Sequence, residues 1–426
     1  MRKFFVCAGL AVAGTASLQA AYAPDLNPME TAKLWTVSGT LRGFYDDNYN
    51  TQPTGPGKRS SFGFEVSPSV GLNVPLQQTE LGLRYTYGLY YYQDRESLGQ
   101  NAIDQTHQLD LWVDHAFTER WSGKVQDTLA VGQEPQLLNG GTLLRAEGDN
   151  IHNDGTITLD TQWTRLLGTE ISYENNLYDY QNSGGNFINP SLAGLLNRLQ
   201  HDISLNVNWR LQPTLLAFVG YQFEQVNYTG NESIAAVGPI IFNSDSRDSR
   251  SQYVYVGGQY TPLDNLSLSA QAGIQYADYY NPPAGAPSTS QLSPYAKLSG
   301  TYTYLPGSYV QLGFTQSRNA TDVAAPTASG KITEDQESSV IYGSLNHQIT
   351  PRLIASLLGQ IQYSTFNGGT YDGQSQTWYS MGLNLAYTIT PHVSTEIGYN
   401  YDDLTSNVPG EKYSRNRVYL GVTGTY

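Results

Sequence analysis

Tyr413-Ser-Arg-Asn-Arg-Val-Tyr-Leu-Gly-Val-Thr-Gly-Thr-Tyr426, the last stretch of the sequence, decides how the rest is read. Val418, Leu420, Val422, Gly424 and Tyr426 share one face of a strand, and Arg415, Arg417, Tyr419, Gly421, Thr423 and Thr425 share the other. One face is apolar and the other is wet. In a sandwich, such a strand at the end of the sequence would be an unprotected edge. As the closing strand of a transmembrane β-barrel it pairs with the first strand and sets Tyr426 in the interfacial aromatic girdle. An ordinary terminal sheet strand is the competing reading, and the remaining sequence has to discriminate.

Residues 1–20 have a short basic start, Arg2-Lys3, then an apolar run and a small-residue end. This is the form of a secretory signal peptide, with cleavage expected after Ala20. Cys7 lies inside it, so the mature chain is expected to carry neither disulfides nor thiolate metal sites. Removal of the segment leaves 21 basic residues against 37 acidic ones and a net charge of −16, which argues against nucleic acid as a partner. Past the signal, no apolar run approaches the ~20 residues of a membrane helix. A membrane span must then be built from strands, of which only alternate residues face lipid.

After a short polar lead, residues 21–34, the sequence follows one grammar: strand, tight turn, strand, long loop. Tight turns are expected at sites such as Thr261-Pro262, Leu305-Pro306-Gly307, Thr350-Pro351 and Thr390-Pro391, where proline presets a turn without removing a needed donor. Between them lie segments rich in Gly, Ser, Asn, Asp and Pro, which are loops by composition. Eight turns and nine loops separate eighteen strands, from 35–47 to 412–426. The even number suits a single-chain outer-membrane barrel, with short periplasmic turns and long extracellular loops. A propeller also repeats near the hairpin spacing, but its blades hold four short strands where this period holds two long ones. The expected architecture is thus all-β: an up-and-down antiparallel barrel over residues 35–426.

Within this frame Trp35, Trp121, Trp163, Trp209 and Tyr426 fall at turn-side strand ends, where a periplasmic aromatic girdle is expected. The wet registers carry charge. Basic Arg42, Arg84, Arg415 and Arg417 lie on the first, third and last strands, which come together on closure. Acidic Asp110, Asp114, Asp160, Glu170, Glu174, Asp202 and Glu224 lie on the fourth and the sixth to ninth strands. This pattern suggests opposite signs facing each other across the lumen, with Lys124, Arg198, Arg210, Glu396 and Asp402 as exceptions; the alternative is that these charges hydrate the lumen or pair with their neighbours. Asp127 falls on the lipid register, and the strands around Tyr253 and Val340 admit either phase; a β-bulge is expected to resolve each case. Leu137, Leu138, Leu143 and Leu144 are costly to leave wet on an extracellular tip, so residues 133–154 are expected to fold inward as a constriction. The alternative is an external cap shared with residues 189–196, where Asn189 would cap a short helix begun by Pro190.

Tyr399-Asn-Tyr-Asp-Asp403, together with Tyr413 to Tyr426, resembles the end of bacterial outer-membrane proteins of the putative β-barrel porin type 2 family. The resemblance is specific over residues 399–426; upstream it is one of style, in proline turns and tyrosine-rich strands. It implies a barrel with a pore, and some members are similar to proteins linked with exopolysaccharide export. It transfers no functional residue, because the family has no established catalytic motif.

Other chemistry is sparse. His107 and His115 share a strand face but stand ~26 Å apart at strand rise, too far for one metal. The remaining histidines are scattered, Asp245-Ser-Arg-Asp248 reads as a solvated loop tip, and no nucleotide fingerprint follows a strand. No metal, cofactor or catalytic residue is expected, and an enzyme is the third choice. The expected function is a porin in the outer membrane of a Gram-negative-type bacterium, passing small hydrophilic solutes. The alternatives are an exopolysaccharide export conduit and a plugged structural or adhesive barrel. Expected partners are outer-membrane lipid, the barrel-assembly machinery, the solute or polysaccharide and, by analogy of fold, further copies of the chain.

Overall fold

The computed structural model describes residues 33–53, 55–99, 101–132, 137–138, 142–143 and 150–426. The expected signal peptide, and the lead except for residues 33 and 34, lie outside the described residues. Alternating sequence forms eighteen barrel strands: β1 (Trp35–Asp46), β2 (Ser61–Pro75), β3 (Thr79–Tyr92), β4 (Ile103–Ala116), β5 (Trp121–Gly132), β6 (Asn150–Gln162), β7 (Leu167–Tyr180), β8 (Arg198–Gln212) and β9 (Leu215–Tyr228), followed by β10 (Ser249–Leu263), β11 (Leu266–Tyr279), β12 (Thr289–Leu305), β13 (Ser308–Asn319), β14 (Thr333–Thr350), β15 (Leu353–Gly368), β16 (Ser375–Thr390), β17 (Val393–Ser406) and β18 (Tyr413–Thr425). Each pairs antiparallel with its sequence neighbours. β1 returns to pair with β18 from Ser38↔Thr425 to Asp46↔Arg417, so the sheet closes. Closure leaves no terminal strand without a partner on either side, as a bilayer core offering no water requires.

The turns on one side are short because their own side chains close them. Thr118, Thr164 and Thr350 each accept backbone N–H groups from two residues ahead and three ahead through Oγ1, at 3.0–3.3 Å. A threonine hydroxyl thereby stands in for a backbone turn acceptor, with Pro351 pre-setting one of the turns.

Outward registers are apolar, as at Val418, Leu420 and Val422. Trp35, Trp121, Trp163, Trp209 and Tyr426 all point outward near the short-turn ends; the Trp35 and Tyr426 rings lie 5.4 Å apart across the closing seam and the Trp121 and Trp163 rings 5.8 Å apart. Asp127 also faces outward, opposite Leu111, and no bulge turns it inward, a correction to the expectation. Its carboxylate instead accepts a 3.0 Å bond from Asn153 on the neighbouring strand. Tyr253 and Val340 face the lumen without a bulge, because Val254 and Ile341 take the lipid side.

A few strand glycines make room for lumenal tyrosines. Tyr255 lies over Gly220, its direct cross-strand partner, and Tyr419 over Gly398. A β-carbon at either glycine would overlap the ring, so an aromatic can lie flat on the wall only where its partner has no side chain.

Candidate functional site

The inner wall is charged, and its two sides differ in how the charge is held. On the closing side, Arg42 of β1 donates through Nε to Glu396 at 2.6 Å and through Nη1 to Glu65 at 3.1 Å. Arg415 Nη2 and Arg417 Nε both reach Asp46 Oδ2, at 2.6 and 2.9 Å, and Arg417 Nη2 also meets the Tyr92 hydroxyl. Arg84 of β3 stands directly opposite Asp110 of β4. The basic residues of this wall are therefore matched locally by acids, the alternative that the sequence pattern left open. Glu65 and Asp46 were not read as lumenal from the sequence, although β1 and β2 alternate cleanly enough to place them there.

The opposite side is acidic and is held by neutral donors. Glu174, Asp202 and Glu224 form a row of direct cross-strand partners on β7, β8 and β9. Asn176 donates to Glu174 at 2.8 Å, Gln222 to Asp202 at 2.8 Å and the Tyr253 hydroxyl to Glu224 at 3.2 Å. Two lumenal levels nearer the short turns, past Ser172, Asp160 faces Glu170, which accepts a 3.0 Å bond from Asn206. Asp110 is held by Gln108 and Thr128, and Asp114 stands opposite Lys124. Such a wall presents net negative charge to the water inside. Among the described residues, no group of three or more His, Asp or Glu side chains is arranged to hold a metal ion.

Loops close over the mouth. Tyr178, Tyr180, Leu195, Leu196, Ile234, Phe242 and Ile332 bury a common apolar cluster drawn from three different long connections. Glu232 ties two of them by accepting from the Gly184 and Gly185 N–H groups and from the Ser191 hydroxyl. Arg247, fully buried, ties a third: its guanidinium donates to the Leu195 carbonyl and, at 2.9 Å, to the Thr321 carbonyl, and it lies over the Tyr228 ring. Burial among these apolar groups lowers its pKa from the ordinary arginine value. Beside it, burial pushes the Asp248 carboxyl up to about 6; its bond from the Tyr228 N–H opposes the shift and Asp245 adds to it.

One expectation about the loops changes, and the constriction expected of residues 133–154 falls largely outside the described residues. The short helix is Leu192–Leu196, and Ser191 rather than Asn189 caps it, its Oγ accepting from Gly194 N at 2.9 Å. Residues 320–332 stand at the centre of the mouth: Thr321 meets Arg247, Ile332 joins the apolar cluster, Val323 packs with Phe366 and Val408, and Ala325 accepts from Thr370 N at 2.9 Å. Of the segment expected to constrict the pore, Leu137–Leu138 pairs with Thr142–Leu143 as a small ladder. Leu144 lies outside the described residues, as do the side chains of Leu137, Leu138 and Leu143. The apolar residues of 320–332 were the signal that could have singled that loop out.

The described barrel can be compared with known proteins. Among solved structures, the chain is similar to Pseudomonas aeruginosa OpdK with vanillate (11% identity, 92% of this chain and 99% of that one, TM-score 0.46). It is also similar to Pseudomonas aeruginosa OccK9 (12%, 92% and 98%, TM-score 0.44) and to the ferric enterobactin receptor of the same organism (12%, 92% and 81%, TM-score 0.42). A search of curated proteins finds no match. The family model described as putative beta-barrel porin 2 matches residues 35–426, the whole barrel from its first strand to its last residue. The chain belongs to the putative beta-barrel porin 2 family, and is an outer-membrane β-barrel of the porin kind.

Proposed function

We propose that this barrel is a passive channel for small hydrophilic solutes that favours cations. A closed sheet of eighteen strands is wide enough to enclose an aqueous path, whereas one of eight is filled by its own side chains. The observation that carries the preference is the unequal pairing of the two walls. The arginines at β1 and β18 are matched by Asp46, Glu65 and Glu396, while the Glu174–Asp202–Glu224 row is held by amides and a tyrosine. Lys124 stands opposite Asp114 on the same side of the lumen. Export through a signal peptide at residues 1–20, membrane insertion by the barrel-assembly machinery and absence of enzymatic activity belong to the same reading.

Polysaccharide passage is the competing use of such a lumen, and would need open aromatic faces on which sugars stack. Tyr253, Tyr255 and Tyr295 instead pack on one another and are almost fully buried, which favours simple diffusion. Single-channel recording in planar bilayers tests the proposal. The wild-type barrel should conduct and give a cation-preferring reversal potential in a salt gradient, and Glu174→Gln with Asp202→Asn should reduce that preference. A folded barrel that conducts nothing, or whose reversal potential ignores both substitutions, overturns it.

A further inference from the structure

β12 pairs with β11 over its full height, from Leu266↔Tyr302 to Tyr279↔Thr289. With β13 it pairs only as far as Ala296↔Gln316, so residues 289–295 present an edge with no strand on it among the described residues. β13 and β14 meanwhile go on pairing with each other up to Asn319↔Gln336. The tip of the β13–β14 hairpin has parted from the wall.

Side-chain contacts show where that tip has gone. By register Arg318 belongs to the outer face, in line with Leu312, Phe314 and Gln316. Its partners are inside: Nε donates to Ser293 Oγ at 2.9 Å, and its backbone N–H donates to Gln275 Oε1 at 3.1 Å. Ser293 and Gln275 lie in the lumenal row of Tyr253. Arg318 Nη1 also meets Asp335 at 2.8 Å, the Tyr279 hydroxyl bonds Asp335, and the Thr289 hydroxyl bonds Glu334. The tips of β13 and β14 thus lean across the lumenal face of β11 and β12, and they carry residues 320–332 to the centre of the mouth. Pro294, two residues beyond the last β12–β13 pair, has no N–H to offer and weakens the ladder where it stops.

We propose that the β13–β14 tip is a hinged gate, that residues 320–332 are its plug, and that opening swings the tip outward to complete the ladder on β12. Both arrangements use the same groups. Leaning inward, the tip is latched by Arg318 and Asp335 on the wall; swung outward, it exchanges that latch for backbone bonds along the vacant edge. Extending the observed register places Gln291 opposite Thr321 only in the open arrangement. In the closed one Gln291 faces Ala277 on β11 alone, and the Thr321 carbonyl is held by Arg247.

The gate rests on the channel reading above, so its test has a readout that does not need conduction. Apart from Cys7 the sequence holds no cysteine, and Gln291→Cys with Thr321→Cys can be introduced cleanly. In reconstituted barrels that keep heat-modifiable migration, oxidation should join this pair slowly, and adding Arg318→Ala should speed joining at least tenfold. Asp335→Asn serves as the second latch variant should Arg318→Ala fail to fold. Joined barrels should conduct more than the same barrels after reduction. A joining rate unchanged by loss of the latch overturns the hinge, and joined barrels that conduct no better than reduced ones overturn the plug. Silence of every variant, with joining still accelerated, removes the channel reading and leaves the hinge standing.

Discussion

At the scale of single residues, the closing seam depends on matched charge. Arg42 is 5% exposed and bonds two carboxylates that belong to different strands, Glu65 of β2 and Glu396 of β17. Removing one member of a buried pair leaves the other charge uncompensated, which costs about 3–5 kcal/mol. Arg42→Leu should therefore lower the unfolding free energy by about that much in urea titrations in lipid vesicles, and Arg42→Leu with Glu65→Leu and Glu396→Leu should recover most of it. Asp248 acts through burial instead. Its carboxyl is raised from 3.8 to about 6, so the folded barrel binds this proton more tightly than the unfolded chain. The sign follows from linkage: this contribution to stability is fully present below the unfolded value and is lost as pH rises through about 6. The gain in unfolding free energy between pH 7 and pH 5, read in urea titrations in lipid vesicles, should be smaller in Asp248→Asn than in the wild type.

At the scale of elements, alternation governs each strand and its breaks are informative. β5 presents Val125 and Leu129 to lipid with Asp127 between them. Asn153 of β6 meets Asp127 there, which shares the cost of placing a carboxylate on the lipid face. Replacing both at once, Asp127→Leu with Asn153→Leu, should raise the unfolding free energy in vesicles by on the order of 1–2 kcal/mol, since an acid on the lipid face costs less than the 2–4 of a basic residue. An equal or lower stability would mean that something other than lipid covers this face. β6 also shows why strand ends are hard to read. It begins at Asn150 because the mostly polar residues 150–154 still pair with β5 and β7, although their composition is close to that of a loop. The helix at Leu192–Leu196 starts two residues later than Asn189-Pro190 suggested, since Ser191 has the extended backbone and the hydroxyl that a cap requires.

At the scale of the whole molecule, closure and blockage are separate matters. Eighteen strands, their order, the outward tryptophans and the pairing of first strand with last were all legible from period-two patterning and turn residues. Those signals are local, and a barrel has only one way to satisfy every edge in a bilayer. Which residues share a face was legible in most strands for the same reason, while the strands around Tyr253 and Val340 took their phase only from their neighbours in the sheet. What charges meet inside was not legible, because Arg42 finds Glu396 across 354 positions of sequence and Arg415 finds Asp46 across 369. Nor was the loop that crosses the mouth. Residues 320–332 reach over the mouth because β13 and β14 leave the wall above Ala296↔Gln316, and the sequence marks that departure only by Pro294 and by Arg318 on the outer register begun by Leu312 and Phe314. The sequence by itself determined a closed outer-membrane barrel and the alternation of faces along most strands, since both follow from which neighbours along the chain are apolar. Tertiary structure alone decided how the lumenal charges pair and what covers the pore, since both depend on contacts between strands and loops that only the closed ring brings together.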